Sequence, residues 1–297
     1  MFRLQDFIDA PNLLRAGEFA RFGEPAYQQE AMLVFCLNDE YLRAALANPG
    51  VTAIITTERA AALGAGSRVG LAVAADPRAA YWRIFRRLAA QRALKPAFEP
   101  GRGTGCRIHA TAVVSENARI GDGAVIEAHA IVGENSVLGA GVSIGPGAKI
   151  GMDGMQSVRD GERLLAIPHA GGVQLGAGVV VLSDSIVQRA VYPEFTRIGQ
   201  DSHVSVMVNV GHHCTLGARC RIAGNAVIGG SVRMGDDVFV GLSATIKNGV
   251  RVGDHARILM GSVVIDDVPA GAEVSGNFAL PHGKRVLEHV RASRGKT

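Results

Sequence analysis

Twelve aliphatic side chains recur at six-residue intervals in the second half of the chain: Ile198, Val204, Val210, Leu216, Ile222, Ile228, Met234, Val240, Ile246, Val252, Ile258 and Val264. Eight more run upstream: Ile108, Val114, Ile120, Ile126, Val132, Leu138, Ile144 and Ile150. A helix repeats every 3.6 residues and a strand every two, so neither explains a sustained period of six. Such a period, with Gly or an acidic residue behind the aliphatic one, describes a mainly β fold: a parallel β-helix of hexapeptides. The residue four places on is usually small, as at Ala112, Ala118, Ala124, Ala130, Ser136, Ala148, Cys214 and Cys220. One branched and one small side chain per hexapeptide fill a narrow tube. Three hexapeptides close one triangular coil, so residues three repeats apart stack on one face. Each coil buries its apolar edge only against the next.

The period breaks once, over residues 151–172, which therefore read as a loop leaving one corner. Loops held by a rigid scaffold often carry function; a tolerated surface insertion is the plainer alternative. The phase also slips by one residue between Leu175 and Ile198, near Tyr192-Pro193, which reads as a bulged corner.

Composition agrees with a thin tube: aromatics are 5% and Gly numbers 38. The start, MFRLQDFIDA, lacks the apolar core of a signal peptide, and no run approaches the roughly 18 apolar residues of a membrane span. Cys214 and Cys220 fall at inward positions, so they read as reduced core residues of a cytoplasmic protein. The net charge of +4 matches that of residues 281–297 alone, where Lys284, Arg285, Arg291, Arg294 and Lys296 face one Glu288. Such a tail suits an acidic partner or is a solvated helix. No zinc-finger spacing or basic-aromatic stripe points to nucleic acid.

The first hundred residues follow a different pattern. AMLVFCL (31–37), VTAIITT (51–57) and VGLAVAA (69–75) read as short buried strands. A helix follows Asn38, a plausible N-cap, and stops at Pro49-Gly50; a second opens at Asp76-Pro77 and runs to about Leu94. Residues 95–105 have linker composition. The expected division is an α/β domain over 1–100, the β-helix over 106–275, and a short basic helix or tail over 276–297.

VNVGHHCTLG (208–217) sets two histidines on the β-helix. His212 is two places past inward Val210, near a corner, and Gly230 is three hexapeptides on, one coil above it. Imidazole can serve as a general base near neutral pH, and a glycine N–H can hold a thioester oxyanion. A structural histidine at a solvent-facing corner is the bland alternative. A metal site from His212, His213 and Cys214 is disfavoured, because neighbours alternate in direction; no metal and no cofactor are expected.

At this point the chain resembles the UDP-3-O-acylglucosamine N-acyltransferases of lipid A and lipopolysaccharide synthesis, over nearly its whole length. VFCLNDEYL (34–42) is similar to the segment whose aromatics hold uracil. IHATAVV (108–114) is similar to the family's entry into the β-helix. IGMDGM (150–155) with IPHAGGV (167–173) resembles its Gly-Asp-Gly loop and return, and VNVGHHCTLG with RIAGNAVIGGSV (221–232) resembles its catalytic stretch. The resemblance implies a left-handed β-helix, a uridine-binding N-terminal domain, a C-terminal helix and a homotrimer. It implies His212 as catalytic base and Gly230 as oxyanion glycine. Phe35 and Tyr41 would stack on uracil and Asn38 would bond its edge, with Asp153, His169 and His213 also at the substrate. The implied reaction moves a (3-hydroxy)acyl group from acyl carrier protein to the amine of a UDP-linked (3-O-acyl)glucosamine.

The chain departs from that pattern in several places. Met155 replaces a Phe, and Gln188-Arg189-Ala190 replaces Asp-Arg-Gly. His213 replaces an Asn, and Asn248-Gly249 stands where a second functional histidine is usual. Two alternatives therefore stay open: an acyltransferase using acyl-coenzyme A on another nucleotide amino sugar, or a non-catalytic β-helix that binds a nucleotide sugar.

Overall fold

The structure, a computed structural model, describes residues 1–276 except 28, together with residue 284. The expected C-terminal helix or tail therefore falls almost entirely outside the described residues.

Residues 101–274 form a parallel β-helix with three flat faces of eight, eight and nine short strands. The register between coils is three hexapeptides where the repeat is unbroken: Val114 pairs with Val132, Val132 with Ile150, Val210 with Ile228 and Ile228 with Ile246. The six-spaced aliphatics and the small residues four places on share one continuous core that runs the length of the tube. Gly101–Arg102 already pairs with Arg119–Ile120, so the tube begins ahead of residue 106.

The corners explain the rest of the period. Asp201, Met207, His213, Arg219, Asn225, Ser231, Asp237, Ser243, Gly249, His255 and Gly261 all hold positive φ, between 55° and 78°. This left-handed conformation costs a non-glycine residue roughly 1 kcal/mol or more. It is offset by hydrogen bonds to the coil below, such as Ser231 N–H to His212 O at 2.8 Å and Ser243 N–H to Gly224 O at 3.0 Å.

Two excursions leave the tube at the same corner. The first runs from Met152 to Gly172 and contains an antiparallel hairpin, Ser157–Asp160 with Arg163–Ala166. The second lies between Gln188 and Phe195. Across it Leu175 pairs with Ile198, which lies beyond the three-hexapeptide register, so the phase slip is a five-residue excursion and not a one-residue bulge.

The N-terminal domain is a five-stranded sheet. Its strands are β1 (Leu13–Arg15), β2 (Arg21–Phe22), β3 (Met32–Cys36), β4 (Val51–Thr56) and β5 (Gly70–Val73), in spatial order β1-β5-β4-β3-β2. Only the β1–β5 pair is antiparallel. Helices α1 (Asp39–Ala47) and α2 (Glu58–Ala61) cover one face, against Val34, Cys36 and Ile54. Helix α3 (Pro77–Ala90) covers the other, against Leu33, Ala53 and Ile55. Side chains start each helix: Asn38 Oδ1 accepts from Tyr41 N–H at 2.9 Å, and Asp76 Oδ1 accepts from Ala79 N–H at 2.9 Å. Helix α3 stops at Ala90, short of Leu94, and Arg92 turns to a φ of 53°. Val158, Ile167, Ala170 and Tyr192 from the two excursions join the α3 core, so the domain and the excursions share one apolar interior, separate from the core of the tube. An Arg83–Asp160 ion pair at 2.7 Å adds to that joint.

Candidate active site

The corner that releases both excursions carries His212 one coil higher. His213 takes the left-handed corner conformation, and its N–H donates to Thr196 Oγ1 at 2.8 Å. That turn swings the two imidazoles together, Nδ1 to Nδ1 at 3.1 Å. His169, on the return of the first excursion, presents its ring edge-to-face to His212 at 5.8 Å. Three histidines from two separate segments thus converge because the excursion folds back over the corner.

Gly230 makes the room. A Cβ there would lie 2.7 Å from His212 Cε1 and 2.8 Å from Nε2, closer than side-chain atoms approach. The expected stacking of His212 under Gly230 is therefore direct contact. The Gly230 N–H, however, donates to Asn248 Oδ1 at 3.1 Å. The free oxyanion donor expected there is engaged. The same contact, a side-chain oxygen capping an N–H one coil below, recurs with Asp122 over Thr104 and Asp236 over Ala218.

Burial keeps the imidazoles neutral. It lowers the pKa of His212 and takes His213 down to about 3, with the neighbouring His212 and His169 adding to the drop. His169 falls to about 4, again through burial, against an upward pull from Asp153. The backbone N–H of Tyr192 donates to His213 Nε2 at 3.3 Å. A neutral His213 must then carry its proton on Nδ1 and donate it to His212 Nδ1, which leaves the His212 proton on Nε2.

Asp153 accepts from Arg189 Nε at 2.5 Å and from the His169 N–H at 3.3 Å, and Arg189 also pairs with Glu134 at 2.9 Å. These two acids hold Arg189 in place. Gln188 instead donates to Asn209 Oδ1 at 3.1 Å and packs on Gly154. Cys214 points into the tube, its thiol on Gly229 O at 3.0 Å and raised by burial to about 12.

The N-terminal domain brings a cavity of about 640 Å³ to this corner. It opens at the carboxyl ends of β3, β4 and β5, where open α/β sheets bind ligands. Phe35, Arg78, Trp82, Arg159 and Tyr192 line it. Phe35 packs on Tyr81 at 5.1 Å with the Arg78 guanidinium 5.7 Å over its ring. The expected partner, Tyr41, is not there. Phe35 faces α3, whereas α1 lies on the opposite face of the sheet, and Tyr41 is 55% exposed. Asn38 is likewise committed through its Oδ1 to capping α1. The other aromatics that line the cavity are Trp82 and Tyr192, stacked at 5.8 Å with 3° between their planes. Sequence reasoning missed both; the only signal was Tyr192 at the phase slip. Tyr192 also lies 5.5 Å from the His213 ring, so one side chain joins cavity and histidines.

Comparison with known proteins agrees with the repeat. A family model described as the hexapeptide repeat of succinyl-transferase matches residues 113–146 and 231–265. The acyl-[acyl-carrier-protein]–UDP-N-acetylglucosamine O-acyltransferase of Burkholderia lata is 34% identical over 91 residues, 31% of this chain and 35% of that protein. The chain thus matches about a third of the length of such relatives. Among solved structures, the Arabidopsis UDP-N-acetylglucosamine acyltransferase superposes with a TM-score of 0.52 at 24% identity, over 59% of this chain and 60% of that one. The enzyme from Campylobacter jejuni is 27% identical, with a TM-score of 0.47, over 58% and 72%. The β-helix is the left-handed one of these neighbours. The chain thus carries a hexapeptide repeat and is similar in fold to an acyltransferase built on one.

Proposed function

We propose that the protein is an acyltransferase that moves a (3-hydroxy)acyl group from a thioester to the amine of a UDP-linked (3-O-acyl)glucosamine. The observation that carries this reading is His212 held against Gly230 at a corner joined through Tyr192 to an aromatic-walled cavity. The nucleotide would stack on Phe35, Trp82 or Tyr192, with Arg78 and Arg159 facing its phosphates. The sugar would then extend past Tyr192 to the histidines. The relatives' names specify O-acylation, so the assay must offer both kinds of acceptor.

His212 is the acid–base residue of the transfer. To accept a proton at Nε2, it must first carry its own on Nδ1. That requires His213 to accept there, and hence the Tyr192 N–H to leave His213 Nε2. An oxyanion at Gly230 N–H similarly displaces Asn248, whose side-chain amide then stands beside it. Both changes fit a site that closes on its substrates. The assembly proposed is a homotrimer in the cytoplasm, with acyl carrier protein as the donor's carrier. Acyl-coenzyme A with a different nucleotide amino sugar is the second reading, favoured by Asn248-Gly249 in the region where a second histidine is expected.

The test is acyl transfer by the purified protein. One arm offers UDP-3-O-(3-hydroxyacyl)glucosamine with 3-hydroxyacyl carrier protein. The other offers UDP-amino and UDP-hydroxy sugars with acetyl-coenzyme A. His212→Ala is expected to lose about 10²–10⁴-fold in turnover with the β-helix intact by circular dichroism. Unchanged turnover removes His212 from the chemistry, and UDP binding with no transfer in either arm favours a non-catalytic binder.

A further inference from the structure

Each neutral imidazole of the His212–His213 pair has one proton to place. Their Nδ1 atoms lie 3.1 Å apart, so only one of the two can carry hydrogen at that contact. The choice is made outside the pair. The Tyr192 N–H donates to His213 Nε2 at 3.3 Å, and a ring nitrogen that accepts carries no proton. His213 therefore keeps its proton on Nδ1, and His212 is left as the Nε2–H form, which donates where a base would have to accept.

Of the contacts that set this arrangement, the one from Tyr192 is the least anchored. The His213 backbone is held by its N–H on Thr196 Oγ1 at 2.8 Å and by a φ of 58° that the coil dictates, and His212 lies against Gly230. Tyr192 instead belongs to the short excursion outside the repeat, and its bond is already at the long end of the range for an N–H donor. Its ring walls the 640 Å³ cavity, parallel to Trp82 at 5.8 Å, with the hydroxyl 3.1 Å from that of Tyr81. A planar base that stacks in the cavity pushes on this ring. A shift of about 0.5 Å in the same residue's N–H takes the bond to His213 out of range.

We propose that His213 is a positioning residue that decides which nitrogen of His212 carries the proton, and that a nucleotide in the cavity reverses the choice through Tyr192. The inference rests on the acyl-transfer reading and deepens it by naming how the acceptor arms the base. With the nucleotide seated, the Tyr192 N–H leaves, and His213 takes a proton from water at Nε2. Its Nδ1 proton passes to His212 Nδ1, and His212 gives its Nε2 proton to water. Both rings stay neutral and the proton count is unchanged. His212 then meets the acceptor with a free lone pair on Nε2. Until the acceptor arrives there is no base to activate water against the thioester, so closure and chemistry are tied together.

Nitrogen-15 spectra of the imidazoles would be recorded on the full chain without and with UDP, whose binding is followed separately by calorimetry. UDP is expected to convert His212 from the Nε2–H to the Nδ1–H form and His213 from Nδ1–H to Nε2–H. In His213→Asn, a residue that holds the same left-handed conformation at Asn225, UDP should still bind while the His212 signal no longer responds to it. UDP binding to the wild type with both tautomers unchanged overturns the inference and leaves the cavity as a nucleotide site. A wild type that does not bind UDP removes the nucleotide site and the inference with it. Tautomer exchange on UDP binding, in a protein that transfers no acyl group, retains the inference and removes the acyl-transfer reading. The wild-type spectra decide these outcomes whether or not His213→Asn folds.

Discussion

His213 is placed by its backbone before its side chain does anything. A left-handed corner residue is required there, and the imidazole it carries is pinned between the Tyr192 N–H and His212. Nitrogen-15 spectra of the imidazoles should show His213 in the Nδ1–H form, which a free imidazole disfavours; an Nε2–H signal would remove the Tyr192 contact from solution. The same burial has a consequence for stability. His169 and His213 have folded pKa values near 4 and 3, below the ordinary 6.5. Below about pH 6.5 the unfolded chain binds protons that the folded one refuses, so stability falls as pH falls through that window. Thermal midpoints should drop between pH 6.5 and 4, and less in His213→Asn, whose side chain suits the corner as Asn225 does. A midpoint flat across this range would contradict neutral burial. The contact of His212 with Gly230 was legible, because a spacing of three hexapeptides converts directly to stacking. The Tyr192 and Asn248 contacts were not. The first depends on the path of an excursion outside the period, and the second on a corner side chain reaching the coil below.

Alternation along β3 decides which residues of the N-terminal domain meet a ligand. Phe35 and Cys36 are neighbours in sequence and face opposite sides of the sheet, so Phe35 shares a cavity with α3 and not with Tyr41 on α1. Spacing read along a strand-to-helix turn does not show which face the helix takes, and this is why the expected aromatic pair came apart. Asn38 separates two roles cleanly. As the α1 cap, its replacement by Ala should cost about 1 kcal/mol of stability in denaturant titrations and leave UDP affinity unchanged. A loss of UDP affinity out of proportion to stability would return it to the ligand. The strands at 31–37, 51–57 and 69–75 were legible as buried runs between turn signals. Strands β1 and β2, of three and two residues, carry too little pattern to see.

On the whole molecule, charge and apolar surface are sorted by face. Arg197, Arg233 and Arg251 stack outward on one face, and Arg221 and Arg257 flank Phe239 on another. The third face and the edge leading to it are different: Val206, Leu242, Met260 and Val263 are 43%, 55%, 63% and 59% exposed, the first three in one stack. A run of exposed apolar residues marks an interaction site, and in the trimer proposed above it is the surface expected to meet a second copy of the chain. Leu242→Glu should shift the protein from three chain masses to one in light scattering, with little change in secondary structure. A wild-type monomer at micromolar concentration would remove the trimer. The architecture was legible at this scale because a repeat states its own fold; which face is left bare is not in the period.

Each coil stands one strand spacing, about 4.8 Å, above the last, so along the site corner residue number is a height. From the coil of Ile150 to that of Ile246 is four steps, about 19 Å, and the His212 coil lies midway. Adding three hexapeptides would lift everything above by one graduation without turning it, whereas adding a single one would carry it round to another face. A corner built this way works as a ruler marked only in whole coils, and descendants of this chain could change the length of what they hold there only by whole marks.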